Sequence, residues 1–180
     1  FRRVLFRSGL TIVLANNHPF NLKMASYLSS VEPDVRVFSW INPGEETTFI
    51  NSICELGFSI EVGPIAQGTL KADLFQKTEI LVQASLDFIE NFNEGKLNLI
   101  NQDITVYKHL KVVDYPKTED GEITAMIHPE LQGRDYEKLT PGEPIFLTFD
   151  GETIYYEEET PTWPVFINEA AYYEKGRSEE

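Results

Sequence analysis

The stretch with the most chemical content is GFSIEVGPIAQGTLKAD, residues 57–73. Its alternation predicts a strand in which Phe58 and Ile60 point to one face and Ser59 and Glu61 to the other. Val62-Gly63-Pro64 then ends the strand, which leaves a carboxylate near the strand terminus. In open α/β sheets ligands bind at the carboxyl ends of parallel strands, so a carboxylate there is placed to take or return a proton. Gly63 and Gly68 let backbone approach whatever occupies such a crevice. Taken alone, an exposed strand end followed by a turn fits these residues better than a site does.

A second stretch is NEAAYYEK, residues 168–175. Adjacent tyrosines between small residues and a lysine can present a phenol to an anion or pack a terminus through their rings, and packing is the commoner use. His18, His109 and His128 are scattered, with no HxxH or HxxxH spacing to put two imidazoles on one helical face. The lone Cys54 excludes an internal disulfide and any Cys-based zinc cage within this chain. No metal site is expected from these residues.

The elements that must position these groups read as an α/β half followed by a β-rich half. LTIVLAN (10–16), VRVFSW (35–40) and FSIEVG (58–63) are strand-like, with helical patterns at NLKMASYLSS (21–30) and TTFINSICELG (47–57) between them. That alternation predicts a mostly parallel sheet covered by helices. ADLFQKTEILVQASLDFIENFNEG (72–95) is the longest helix signal, ending at Gly95. Phe75, Val82, Leu86 and Ile89 form one apolar row in it, with Leu74, Leu81, Phe88 and Phe92 in a parallel row, as expected of a helix packed on a sheet. From about residue 97 the period changes to two: ITVYKHLKVVDY, a turn at KTEDGE, then ITAMIH, PIFLTFDG, ETIYY and WPVFIN. The expected division is 1–8 as an arm, 9–96 as α/β and 97–180 as a β-rich domain.

The chain carries 29 acidic against 15 basic residues, a net charge of −14. Three of the basic residues lie in the opening FRRVLFRS, and without them 12 basic residues face 29 acidic ones, a net of −17. Such a body repels phosphate backbones, so no nucleic-acid partner is expected. No apolar run approaches the ~20 residues needed to span a bilayer, so no membrane partner is expected. One cysteine fits a reducing cytoplasm.

Four stretches carry a resemblance: IEVGPIAQGTLKAD, LDFIENFNEGK, KVVDYPKTEDGEITAMIHPELQGRDYEKLTPGEPIFLTFDGETI and WPVFINEAAYYEK. Together they resemble the aspartoacylase family of zinc-dependent, carboxypeptidase-like N-acyl-amino-acid hydrolases, collinearly from about Gly9 to about Lys175. The resemblance implies a zinc-carboxypeptidase-like α/β domain and a smaller β-rich C-terminal domain. It further implies hydrolysis of an N-acyl-L-aspartate, of the N-acetyl-L-aspartate type, to a carboxylate and L-aspartate. Glu61 matches the glutamate of the EVGP motif, which serves as general base and then as acid. Tyr172 matches a tyrosine that contacts the substrate carboxylate, Phe166 lines the same region, and Glu169 and Lys175 look like supports. A small-molecule N-acyl amino acid as substrate, one zinc ion and a homodimer are implied in the same way.

The match has departures. Animal members carry arginine where this chain has Asn51 and tyrosine where it has Thr47. Asparagine cannot replace a guanidinium gripping a carboxylate at two points, so the substrate contact expected at Asn51 is a weakened one. The family's zinc ligands, a His-x-x-Glu pair and a later histidine, match nothing in this chain, which is therefore expected to be inactive by itself. One DNA spelling of FRRVLFRS, TTC AGA CGT GTG CTC TTC CGA TCT, reads as a sequencing adapter, so the arm is expected to be foreign and to cover the place of the third zinc ligand. Two other readings stand beside this one: a succinylglutamate desuccinylase-like hydrolase, and a non-catalytic β-rich regulatory or oligomerisation module.

Overall fold

The computed structural model describes residues 9–40, 54–63, 65, 68–97 and 103–168. The chain divides into two compact units, one spanning Gly9–Leu110 and the other running on from Lys111.

In the first unit, β1 (Leu10–Leu14), β2 (Val35–Ser39), β3 (Phe58–Val62) and β4 (Val106–Lys108) form one sheet in the order β3-β1-β2-β4. Strand β1 pairs with β2 in parallel, Leu10 beside Val35, and β2 pairs with β4 in parallel, Val37 beside Val106. Residues 106–108, which the period-two pattern groups with the β-rich half, thus complete the first sheet.

Strand β3 corrects the expectation of parallel pairing: it runs antiparallel to β1, with Leu14 opposite Phe58 and Leu10 opposite Val62. Alternating helix and strand signals do not set direction; the entry point does. Two bonds bring the entry to β3 to the carboxyl end of β1: Ala15 N–H donates to the Gly57 carbonyl (3.1 Å) and Asn16 Nδ2 to the Glu55 carbonyl (2.6 Å). From there the strand has to run back along β1. Of the helix expected at 47–57, residues 54–56 are bent and Gly57 is irregular rather than helical, and 47–53 lie outside the described residues.

Helices α1 (Pro19–Val31) and α2 (Ala72–Asn93) pack together against one face of this sheet. His18 caps α1, its Nδ1 accepting from Phe20 N–H, and Pro19 fills the first turn, where its missing N–H costs nothing. Leu10, Ile12, Leu14, Val35 and Val37 enclose a core with Met24, Ala25, Leu28, Leu81 and Phe88. Phe20 meets Phe88 and Phe92 edge-on, with centroids 5.5 and 4.8 Å apart. Helix α2 ends as its Gly95 predicts. Gly95 has φ +68°, Gly95 N–H donates to the Phe92 carbonyl, and Lys96 N–H donates to the Asn91 carbonyl.

Only one of the two apolar rows of α2 is used. Leu81, Ala84 and Phe88 are buried, whereas Phe75, Val82, Leu86 and Ile89 are exposed, Phe75 by 68% and Leu86 by 57%. The apolar arc of the helix is wider than the contact offered by α1 and the sheet. No helix among the described residues is long and apolar enough to cross a membrane.

The second unit is antiparallel: β5 (Ala125–Ile127), β6 (Pro144–Thr148) and β7 (Thr153–Tyr155) in that order. The KTEDGE turn closes with Lys117 bridged to Ile123, and the FDGET turn joins β6 to β7 through Thr148 N–H donating to the Glu152 carbonyl (2.8 Å). Leu131, Leu139, Tyr156 and Ile167 form its core, with Ile127 and Ile145 packed against them. The Glu143 carboxylate accepts from both the Thr140 N–H and its hydroxyl, and faces Arg134, which also pairs with Glu137 (2.8 Å).

Candidate functional site

Glu61 lies on β3 directly opposite Thr11 of β1. The core-facing residues of β3 are Phe58, Ile60 and Val62, so Ser59 and Glu61 take the other face of the sheet, as does the fully buried Thr11 on β1. Glu61 itself is half-buried. Burial raises its carboxyl above the ordinary glutamate value, and the hydrogen bond with the Ser59 hydroxyl offsets only part of this. A carboxyl held this way moves towards the range in which it can exchange a proton near neutrality.

Its position is not the one the parallel-sheet argument supplies. Because β3 is antiparallel, Glu61 sits at the amino ends of β1 and β2, and the rule about carboxyl ends of parallel strands does not apply to it. What the fold does provide is closeness to the start of β1: Gly63 N–H donates to the Gly9 carbonyl at 2.9 Å. The end of β3 is thereby stitched to the residue at which the family resemblance begins. Arg36, next in the same cross-strand row beyond Thr11, turns its guanidinium back towards the carbonyls of Asp34 and Pro33 (3.3 and 3.4 Å).

Each histidine has local contacts of its own. His18 caps α1, His128 Nδ1 accepts from Glu130 N–H (3.2 Å), and His109 stacks on Trp40 with centroids 4.6 Å apart. Among the described residues no three His, Cys, Asp or Glu side chains gather as a metal ligand set, so these residues do not fit a zinc ion on their own.

Phe166 belongs to the second unit. Its backbone is left-handed, φ +59°, and so is that of Asn168, φ +60°. Asparagine tolerates that region, whereas for a bulky residue it is a genuine outlier, costing about 1–3 kcal/mol. Three distant groups hold the segment. Tyr136 N–H donates to the Pro164 carbonyl (2.8 Å), Ile167 N–H to Asp135 Oδ1 (3.0 Å), and the Tyr115 hydroxyl to Asn168 Oδ1 (2.7 Å). Asn168 Nδ2 in turn donates to Gln132 Oε1 (2.9 Å). Sequence reading finds none of these supports, because they reach across 28 to 53 positions and follow no local period. The other expected residues, Asn51, Thr47, Tyr172, Glu169 and Lys175, lie outside the described residues.

Comparison with known proteins converges on one family. Residues 102–177 match the AstE/AspA barrel-sandwich hybrid domain. A probable aspartoacylase of Trichodesmium erythraeum is 76% identical over 168 residues, covering 93% of this chain and 57% of that protein. A mouse N-acyl-aromatic-L-amino acid amidohydrolase (carboxylate-forming) is 44% identical, covering 93% of this chain and 53% of the relative. The crystal structure of murine aminoacylase 3 superposes with a TM-score of 0.83 at 41% identity, over 96% of this chain and 57% of that one. The chain spans a little over half the length of these relatives, and its mixed α/β architecture is that of the aminoacylase structure. The chain belongs to the AstE/AspA family, the family of the aspartoacylases.

Proposed function

We propose that the whole protein hydrolyses the amide bond of an N-acyl-L-amino acid, releasing a carboxylate and the free amino acid, with N-acetyl-L-aspartate-type compounds as substrate. The observation that carries this reading is Glu61. It is half-buried, raised by desolvation and stitched through Gly63 to the start of β1, in a chain 76% identical to a probable aspartoacylase. In the proposed reaction Glu61 takes a proton from the attacking water and returns it to the leaving nitrogen, which leaves an acid and an amine. Phe166 and Tyr172 would serve substrate binding, with Asn51 as a contact lacking the charge of arginine. Zinc is proposed as cofactor of the whole protein, within a carboxypeptidase-like domain, where it would supply Lewis acidity. Its ligands would lie outside the described residues, and the chain alone is proposed to be inactive. A cytoplasmic setting, a homodimer and the absence of nucleic-acid or membrane partners complete the proposal.

A second reading concerns specificity. The uncharged side chain at Asn51 and the 44% identity to an N-acyl-aromatic-L-amino acid amidohydrolase both favour a less acidic amino-acid side. The test is a full-length chimera in which residues 9–180 replace the matching part of the Trichodesmium relative. Release of amino acid from N-acetyl-L-aspartate and from N-acetyl aromatic amino acids is then measured side by side. Hydrolysis of the first supports the main reading, preference for the second shifts it, and no hydrolysis of either refutes both.

A further inference from the structure

The clamp around Phe166 is more than a turn requires. Ile167 is buried in the core of its unit and would anchor the segment by itself, yet a strained phenylalanine is kept immediately before it. Glycine at that position would remove the strain, so the ring must be wanted in the direction that a left-handed backbone gives it. Strain of this kind persists only where the surroundings over-determine it, and it gathers at sites that present a side chain to a ligand. Here the over-determining groups are identifiable. Asp135 holds Ile167 N–H at 3.0 Å, one residue after Phe166, and Tyr115 holds Asn168 Oδ1 at 2.7 Å, two residues after it. Tyr115 is itself fixed, its ring 5.6 Å from that of Phe146 on β6.

We propose that Asp135 is a positioning residue for substrate binding: by holding Ile167 N–H it sets the left-handed backbone at Phe166 and hence the direction of its ring, with Tyr115 securing the far side of the turn through Asn168. The inference rests on the reading of Phe166 as a substrate-binding residue. It assigns Asp135 no part in proton transfer, so its removal should weaken substrate binding and spare the chemical step.

The test uses the full-length chimera. Asp135→Ala should raise KM about tenfold with kcat within about threefold of the parent, the pattern of weakened ground-state binding, at about the size of one lost hydrogen bond that holds the segment. Asp135→Asn keeps the Oδ1 acceptor and should restore KM to within about threefold. Tyr115→Phe keeps the ring on Phe146 and loses only the hydroxyl; a rise in KM of about threefold is expected, and this variant carries the test if Asp135→Ala does not fold. Folded Asp135→Ala or Tyr115→Phe enzyme with unchanged KM overturns the inference, as does a fall in kcat alone. A parent chimera that hydrolyses no N-acyl amino acid fails at an earlier and separate step, and brings the inference down with the functional reading.

Discussion

Glu61 on β3 and Thr11 on β1 are direct cross-strand partners in an antiparallel pair. That pairing brings a carboxylate to the point where the first strand begins, on the sheet face away from α1 and α2. Its energetic consequence follows from burial, which raises the Glu61 carboxyl above its ordinary value of 4.5. Between the ordinary value and the raised one, the folded state binds more proton than the unfolded state, so stability falls as pH rises through that window. Above it the destabilisation is complete.

Replacing Glu61 by glutamine should therefore stabilise the protein at neutral pH and confer no gain below the ordinary carboxyl value. In the full-length chimera the same change should lower kcat by about 10²–10⁴-fold, the usual contribution of a proton-transfer group. Thermal unfolding as a function of pH, run beside the hydrolysis assay, checks both halves. A Glu61→Gln protein less stable than its parent at neutral pH would contradict the desolvated placement of the carboxylate.

The two rows of α2 should respond very differently to truncation. Leu81 is fully buried in the first core, and Leu81→Ala should cost about 2–5 kcal/mol. Leu86, only five positions on, is 57% exposed, and Leu86→Ala should stay within about 0.5 kcal/mol. Denaturant unfolding of both variants distinguishes them. Comparable losses would mean that something covers the outer row.

The same helix shows what was legible in the sequence and what was not. Its existence and its Gly95 stop follow from local period and cap chemistry, which act within a few residues. Which apolar row faces the sheet does not, because both rows have the right spacing and only the partner surface chooses between them. Strand β3 makes the same point for direction: its alternation is visible, but its antiparallel course is set by Ala15 and Asn16 bonding to Gly57 and Glu55, some 40 positions away. Glu61 stands out by its neighbours in sequence, but the parallel-strand argument for its place fails because β3 is antiparallel to β1. The Phe166 clamp left no local trace at all.

Gly95 offers a test of backbone strain free of packing. Its φ is +68°, and a methyl group added there would meet nothing within 4 Å. Gly95→Ala should thus cost about 1–2 kcal/mol from the left-handed conformation alone, and Gly95→Asn less, since asparagine visits that region readily. Urea unfolding of the pair measures the difference, and an Ala variant as stable as the parent would show that the helix end rearranges.

Glu143 should make the second unit sensitive to acid in a way that one substitution removes. The Thr140 N–H lowers its carboxyl most, followed by the Thr140 hydroxyl; burial opposes them, and Arg134 adds a lesser lowering. The folded value therefore lies below the ordinary 4.5, and the unfolded state binds more proton in the window between them. The stability contributed by the charged form is complete above the ordinary value and is lost as pH falls through the folded one. Glu143→Gln keeps one acceptor for the Thr140 turn but has no charge to lose, so parent and variant should differ at neutral pH and converge in strong acid. Thermal unfolding across that range reads the convergence directly. A gap between the two that stays constant with pH would place the effect in shape rather than charge, and would remove Glu143 from any account of acid lability.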